Sequence, residues 1–303
     1  MSWRHGRIVP VVLTALLLAA ASSLLRPNQV SAQQRPLRII VFGAHPDDAD
    51  ETTGGTAALW AAKGHAVKFV AMTNGDAGHQ SEGGGALGRR RRAEAQESAR
   101  RLGIAEYQVI DNHDGELLPT LAAREQVIRA IRGWKADLVL APRPNDYHPD
   151  HRYTGVLVQD AAYMVVVPNV APDTPPLHDN PVFMYVSDHF QRPNPFRPDV
   201  AVAIDSVWDR KISGLDAHVS QVYEWLPWVS HTLESVPKDP AARLAWLKTQ
   251  WHGYPVNDAV RAALRKWYGA KADGVKNAEA FEVCEYGKQP SEAELRQLFP
   301  FFD

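Results

Sequence analysis

Cysteine is almost missing: Cys284 stands alone in 303 residues. No intrachain disulfide can form, so an exported fold would have to stand on its apolar core. A cysteine-based zinc site or a Cys/His nucleophile pair goes with it, and any metal must be held by histidine and carboxylate. Basic charge is not in excess. Lys and Arg number 33 against 35 Asp and Glu, and the one basic run is RRRR at 89–92, which argues against a nucleic-acid partner. No G-x-G-x-x-G follows the first strand-like run, so the dinucleotide fingerprint is absent. Past residue 25 no apolar run of membrane-spanning length occurs, and there is no internal repeat or low-complexity tract.

What is present begins with a leader-like segment. Arg4 and Arg7 precede an apolar stretch at 8–25, and VSA at 30–32 ends in small residues before QQ. This is the pattern of a secretory signal peptide over residues 1–32. An uncleaved anchor is the alternative, since about 18 apolar residues are borderline for a span. Cleavage would remove Arg4, Arg7 and Arg26 and no acid, moving the net charge from −2 to −5. The expectation is an exported protein, periplasmic or extracellular, without stable membrane insertion after cleavage. Its body, 33–303, reads as a single domain. The sequence leaves the oligomeric state open.

Periodicity predicts an α/β fold. Strand-like runs at 37–42, 66–72, 107–110 and 136–142 alternate with helical patterns at 56–64, 91–103, 121–134 and 154–166. Such alternation implies right-handed crossovers and a mainly parallel sheet flanked by helices. Strands are also expected at 182–188 and 199–205, after a proline-rich loop. From 207 onward the pattern reads as a helical C-terminal region rich in tryptophan.

Two polar clusters fall where open parallel sheets place ligands, beyond the carboxyl ends of strands. HPDD at 45–48 follows the first strand and HPDH at 148–151 the fourth. Two imidazoles and one carboxylate can hold a catalytic zinc with a position left for water, and a further carboxylate can take a proton. His45, Asp47, Asp48, His148, Asp150 and His151 supply more than enough groups. Spacing alone does not say which of them bind metal, and Asp47 or Asp48 could equally cap the following helix.

AHPDDADETTGG followed by HPDH resembles the PIG-L/LmbE-like family of metal-dependent de-N-acetylases, over roughly residues 38–221. The resemblance implies a Rossmann-like fold and removal of acetyl from N-acetylglucosamine-type sugars, often on a conjugate. By motif position it implies His45, Asp48 and His151 as ligands of Zn²⁺ or Fe²⁺. Asp47 would be the general base. His148 would stabilise the oxyanion or protonate the leaving amine, and Asp150 would orient His148. It further implies substrate contacts from Arg91, three residues before Glu94, from Asp114 and Asn74 in the loops after strands three and two, and from His218 in an H-x-S-Q segment. Asn74-Gly75 is also a turn signature, and His218 also suits a buried structural role. WLPW at 225–228 and WHGY at 251–254 would either line a sugar cleft or fill a core. The late helical region and the expected export depart from the short cytosolic members. A metal-dependent amidase on another amide and a two-metal phosphoesterase are the rival readings. A purely sugar-binding module has no use for the base Asp47.

Overall fold

The first apolar run divides its side chains between two cores. In β1 (Arg38–Gly43), Ile39 and Val41 enter one hydrophobic cluster and Ile40 and Phe42 another. Both faces of the strand are covered, which is why it carries no polar face. The structure, a computed structural model, describes residues 35–302. The leader expected at 1–32 lies outside the described residues. Among those described, no helix is long and apolar enough to cross a membrane.

The elements follow in order: α1 (Asp48–Ala62), β2 (Ala66–Ala71), α2 (Gly84–Leu102), β3 (Glu106–Val109), α3 (Leu121–Trp134), β4 (Leu138–Ala141), α4 (Pro149–Met164), β5 (Val182–Val186), β6 (Val200–Ala203), α5 (Trp208–Asp216), α6 (Leu226–Val229), α7 (Pro240–Gln250), α8 (Asp258–Tyr268), β7 (Ala278–Gly287) and α9 (Glu292–Leu298). The seven strands form one sheet in the order β3-β2-β1-β4-β5-β7-β6. The first five are parallel, and β7 runs antiparallel to both its neighbours. Strand order reverses between β1 and β4, and the polar loops that follow these two strands meet there.

Three helices begin earlier than their apolar periodicity suggests, among them α4, which starts at Pro149 within HPDH rather than at 154. α1 starts at Asp48, so DADETTGG is its first two turns rather than a loop. α2 starts at Gly84, ahead of the arginine run. Polar residues facing a site are invisible to an amphipathic pattern.

The C-terminal region is not helical throughout. β7 inserts between β5 and β6, where the sequence predicts a largely helical region after 207. Its glutamates at 279, 282 and 285 recur at helical spacing, and tertiary pairing overrides that signal. Glu279 is the reason the strand docks. Its carboxylate accepts the N–H groups of Gly55 and Thr56 at 2.9 and 2.7 Å and pairs with Lys211 Nζ at 2.6 Å. Lys211 Nζ also donates to the Glu51 carbonyl. This buried ion pair therefore clamps the middle of α1 to α5 and β7. Gly55 permits the approach, since a Cβ there would lie 2.9 Å from the Ile204 side chain.

Most late aromatics are core or packed on it. Trp267 is buried in the main cluster, and Trp208, Trp246 and Trp251 pack around α5. Trp225 and Trp228 stack on each other at 5.3 Å.

Candidate active site

The turn after β1 is built around one carboxylate. Asp48 Oδ2 accepts the backbone N–H groups of Ala44 and His45, both at 2.8 Å. Gly43 makes this possible, because a Cβ at that position would lie 2.7 Å from Asp48 Cβ. Neither Asp48 nor Asp47 is spent as a helix cap: Asp47 occupies the N-cap position without a side-chain bond.

Three donor atoms converge here. His45 Nδ1 lies 3.2 Å from His151 Nε2, and Asp48 Oδ2 lies 3.5 Å from the first and 3.4 Å from the second. Ligands about 2.0–2.1 Å from a tetrahedral zinc are about 3.3–3.4 Å apart, so this triangle has the size of one face of such a site. The outer nitrogens fit as well. His45 Nε2 faces Asp114 Oδ1 at 3.0 Å and Asp150 Oδ2 at 3.3 Å, and His151 Nδ1 faces Asp146 Oδ1 at 3.0 Å. The Asp146 carboxylate hydrogen-bonded behind His151 fixes the proton on its outer nitrogen and turns the inner lone pair toward a metal, whereas the carboxylates behind His45 stand close to Nε2 without hydrogen-bond alignment. Burial works to lower the His45 pKa, but Asp114, Asp150 and Asp48 outweigh it and hold it well above its ordinary value. Burial opposes ionisation of Asp48 too, yet His151 and His45 keep its carboxyl far below the usual range. His148 is close enough to join the two other imidazoles. Asp48 brings the negative charge that three imidazoles lack.

Asp47 lies beside this triangle and outside it, its Oδ1 accepting from Arg91 Nη2 at 3.0 Å. Burial raises its pKa, against the pull of Arg91. Arg91 is only 2% exposed and also donates to the Gly75 carbonyl. Its neighbours turn elsewhere, Arg90 to Glu224 and Arg92 to the Val109 carbonyl, so the register of the arginine run is plain: Arg91 alone of these three reaches the site. Glu94 instead docks the H-x-S-Q segment, accepting from Ser220 N–H and Oγ.

His148 caps α4, its Nδ1 accepting the Asp150 N–H at 3.2 Å, which puts the proton of the neutral ring on Nε2. Burial, with His45 and His151 nearby, lowers its pKa and keeps it neutral. Its ring stands edge-on to His45 at 4.7 Å. Orientation by the Asp150 side chain, expected from sequence, is replaced by orientation through the Asp150 backbone. The Asp150 carboxylate accepts instead from Gly115 and Leu117 N–H and faces His45, because that imidazole needs an acceptor at its outer nitrogen.

The residues read as substrate contacts fall differently. Asp114 is turned onto His45 and, at 3.7 Å, Arg91, not onto open space. Asn74 holds its own turn, accepting from Asp76 N–H and donating to Asp111. His218 is 0% exposed and paired with Asp50 at 3.2 Å, so it does not face the cleft. Sequence reasoning missed Asp146, whose signal was a carboxylate two residues ahead of His148 in a loop already rich in ligands. It also missed Asp50, and Asp76, which holds the Asp114 N–H.

Asp48 and His151 also wall a cleft toward β5, shared with Glu51, Ser187, Asp188 and Tyr254. Burial, then Asp48 and Asp47, push the Glu51 carboxyl up to about 7. Tyr254, from WHGY, is the late aromatic that reaches the site.

Residues 40–162 match the family model described as GlcNAc-PI de-N-acetylase, PIG-L. Over this span the chain is similar to PIG-L domains. Among curated proteins the chain is 27% identical over 201 residues to a 4-oxalmesaconate hydratase of Pseudomonas putida, covering 61% of this chain and 74% of that one. It is 25% identical over 224 residues to a probable N-acetyl-alpha-D-glucosaminyl L-malate deacetylase of Bacillus cereus, covering 70% and 94%. Among solved structures it shares the fold of the N,N′-diacetylchitobiose deacetylase of Pyrococcus horikoshii, with a TM-score of 0.61, 24% identity and coverage of 88% and 92%. The matched span contains both histidine loops and so includes His45, Asp47, Asp48, His148 and His151.

Proposed function

We propose that this protein is a metal-dependent hydrolase that removes the N-acetyl group from an N-acetylglucosamine-type sugar or glycoconjugate. The observation that carries the reading is the triangle of His45, Asp48 and His151, with Asp47 left unbound beside it. Zinc, or Fe²⁺, held by those three residues would supply the Lewis acidity that makes a water nucleophilic near neutral pH. Asp47 takes the proton of that water as its oxygen adds to the amide carbon. His148 Nε2–H donates to the amide oxygen as charge develops on it. The C–N bond then breaks, the amine nitrogen receives the proton from Asp47 or His148, and acetate and a free amine leave. Arg91 keeps Asp47 aimed and ionised.

The hydratase relative has a name that describes a polycarboxylate substrate. The open cleft here is walled by carboxylates, and its Arg143 is already held by Asp188 at 2.6 Å, which favours an uncharged amide. A phosphoesterase with two metals fits less well. The second candidate donor set, His45, Asp114 and Asp150, shares His45 with the first and sits on the side of that ring that carries its proton.

Acetate release by the zinc-loaded chain, measured over a panel of N-acetylglucosamine conjugates, tests the reaction. Acetate from at least one conjugate, with an equal amount of free amine, is the expected result. Zinc bound but no acetate, with a larger acid released from other amides, would replace it with the amidase reading. Asp146→Ala is expected to weaken metal binding about 10–100-fold by removing the acceptor behind His151. Competition with a chromogenic chelator measures this, and unchanged affinity would remove His151 from the ligand set.

A further inference from the structure

The H-x-S-Q segment has no task in the hydrolytic chemistry, and its polar side chains are buried outright: His218, Ser220 and Gln221 are 0%, 0% and 2% exposed. Three polar side chains within four residues are costly to bury unless each meets a partner. Their partners lie on three different elements. His218 Nε2 stands 3.2 Å from Asp50 Oδ2 on α1. Ser220 gives both its backbone N–H and its hydroxyl to the Glu94 carboxylate on α2. Gln221 Nε2 donates at 3.1 Å to the Gly78 carbonyl, in the loop after β2. Burial opposes a charge on His218, but Asp50, Asp47 and Glu94 outweigh it and raise its pKa, so the imidazole serves as the counter-charge of Asp50.

Each of these three elements carries part of one contact, the pairing of Asp47 with Arg91. Asp47 is the residue before α1, and Asp50 sits in the first turn of that helix. Ser98 on α2 donates to the other Asp50 oxygen, so this carboxylate ties α1 to α2 as well as to the 218–221 turn. On α2, Arg91 and Glu94 share a face, being three residues apart. The loop after β2 closes over the guanidinium. Arg91 Nη1 donates to the Gly75 carbonyl at 3.2 Å, and a Cβ at Gly78 would lie 2.8 Å from the same nitrogen. Beyond His218 the chain makes a π-helical turn, Gln221–Trp225, a rare conformation that is frequent at functional sites. That turn brings Glu224 onto the same loop. His79 Nδ1 accepts the Ser81 and Glu82 N–H groups, which leaves its proton on Nε2 to donate to Glu224 at 2.9 Å.

We infer that His218 and Gln221 are positioning residues for the base: with Ser220 they hold α1, α2 and the loop after β2 at the spacing that keeps Asp47 against Arg91. The inference rests on the deacetylase reading, which makes Asp47 the base. The metal side of the site is held by other contacts, the Ala44 and His45 N–H groups on Asp48 and the Asp146 carboxylate behind His151. The base can therefore lose its aim while the donor triangle stays whole. A misplacement of about 1 Å in a reacting group is enough to cost about 10²-fold in rate.

The test measures kcat, KM and zinc content of the zinc-loaded full chain, with the N-acetylglucosamine conjugate that the wild type deacetylates fastest. Gln221→Met keeps the bulk of the side chain and removes its amide. His218→Leu removes the counter-charge of Asp50, and His218→Gln keeps a donor toward it. Gln221→Met and His218→Leu are expected to lower kcat about tenfold or more, with KM within about threefold and zinc content unchanged. His218→Gln is expected to recover most of the loss. In an Asp47→Asn background neither substitution lowers the residual turnover further, because no base is left to aim. A defect that is only structural would lower it in both backgrounds. Should His218→Leu not fold, Gln221→Met carries the test alone. Wild-type kcat in Gln221→Met overturns the inference, and so does a loss carried by KM, a loss of zinc, or an equal loss in both backgrounds. If the wild type releases acetate from no conjugate, the deacetylase reading fails by itself, and crystal structures of the wild type and Gln221→Met decide the positioning. An Asp47–Arg91 pair broken in the variant beside an intact donor triangle supports it, and an unchanged pair overturns it.

Discussion

Asp47→Asn is expected to lower kcat by about 10²–10⁴-fold, the usual contribution of a positioned general base, while the metal content per chain stays at the wild-type value. The substitution is nearly isosteric. An amide oxygen can still accept from Arg91 Nη2, which lies 3.0 Å from Asp47 Oδ1, and the His45–Asp48–His151 triangle does not include residue 47. What is lost is the ability to take a proton. Burial raises the pKa of this carboxyl even against Arg91, so the wild-type group is a stronger base than an exposed aspartate. Elemental analysis of the variant and acetate release under saturating substrate separate the two roles. Near-normal turnover would remove Asp47 as the base. Loss of metal along with activity would mean that it belongs to the ligand set.

Lys211→Met carries the largest expected cost in stability, about 3–5 kcal/mol, because it leaves the buried Glu279 carboxylate without its counter-charge. Both side chains are almost wholly inaccessible, at 2% and 1%. Glu279 would keep the Gly55 and Thr56 N–H groups and the Thr56 hydroxyl, so part of its solvation survives. Adding Glu279→Gln to Lys211→Met removes the stranded charge and is expected to recover part of the loss. Urea unfolding of the wild type, the single variant and the pair measures this. A single-variant cost below about 1 kcal/mol, the range of exposed pairs, would show that the pair does not hold α1. The consequence reaches the site, since α1 carries Asp48 and Glu51 in its first turn and Lys211 holds the Glu51 carbonyl.

The parallel half of the sheet was legible because its strands are apolar on both faces and alternate with helical patterns, the second of which stops at Gly103. β7 was not, because three glutamates at helical spacing gave the wrong period, and only the fold shows that one of them meets Lys211. The histidine loops were legible as a cluster of donor side chains, because imidazole and carboxylate gather after two strands that the sheet places side by side. The partners of those ligands were not. Asp150 lies in the first turn of α4 and Asp114 in the loop after β3, 36 residues apart in the chain, and nothing local says that both end behind His45. Asn74 and His218 looked like cleft residues by motif and proved to hold a turn and a buried pair.

The sequence by itself determined the α/β class, the donor types and the two loops that carry them, since strand period and side-chain chemistry are local properties. Only the tertiary structure decided which carboxylate stands behind which imidazole, which arginine of four enters the site, and that the open cleft is acidic. Those depend on how strands distant in the chain are ordered in the sheet, and that order is set by packing across both of its faces.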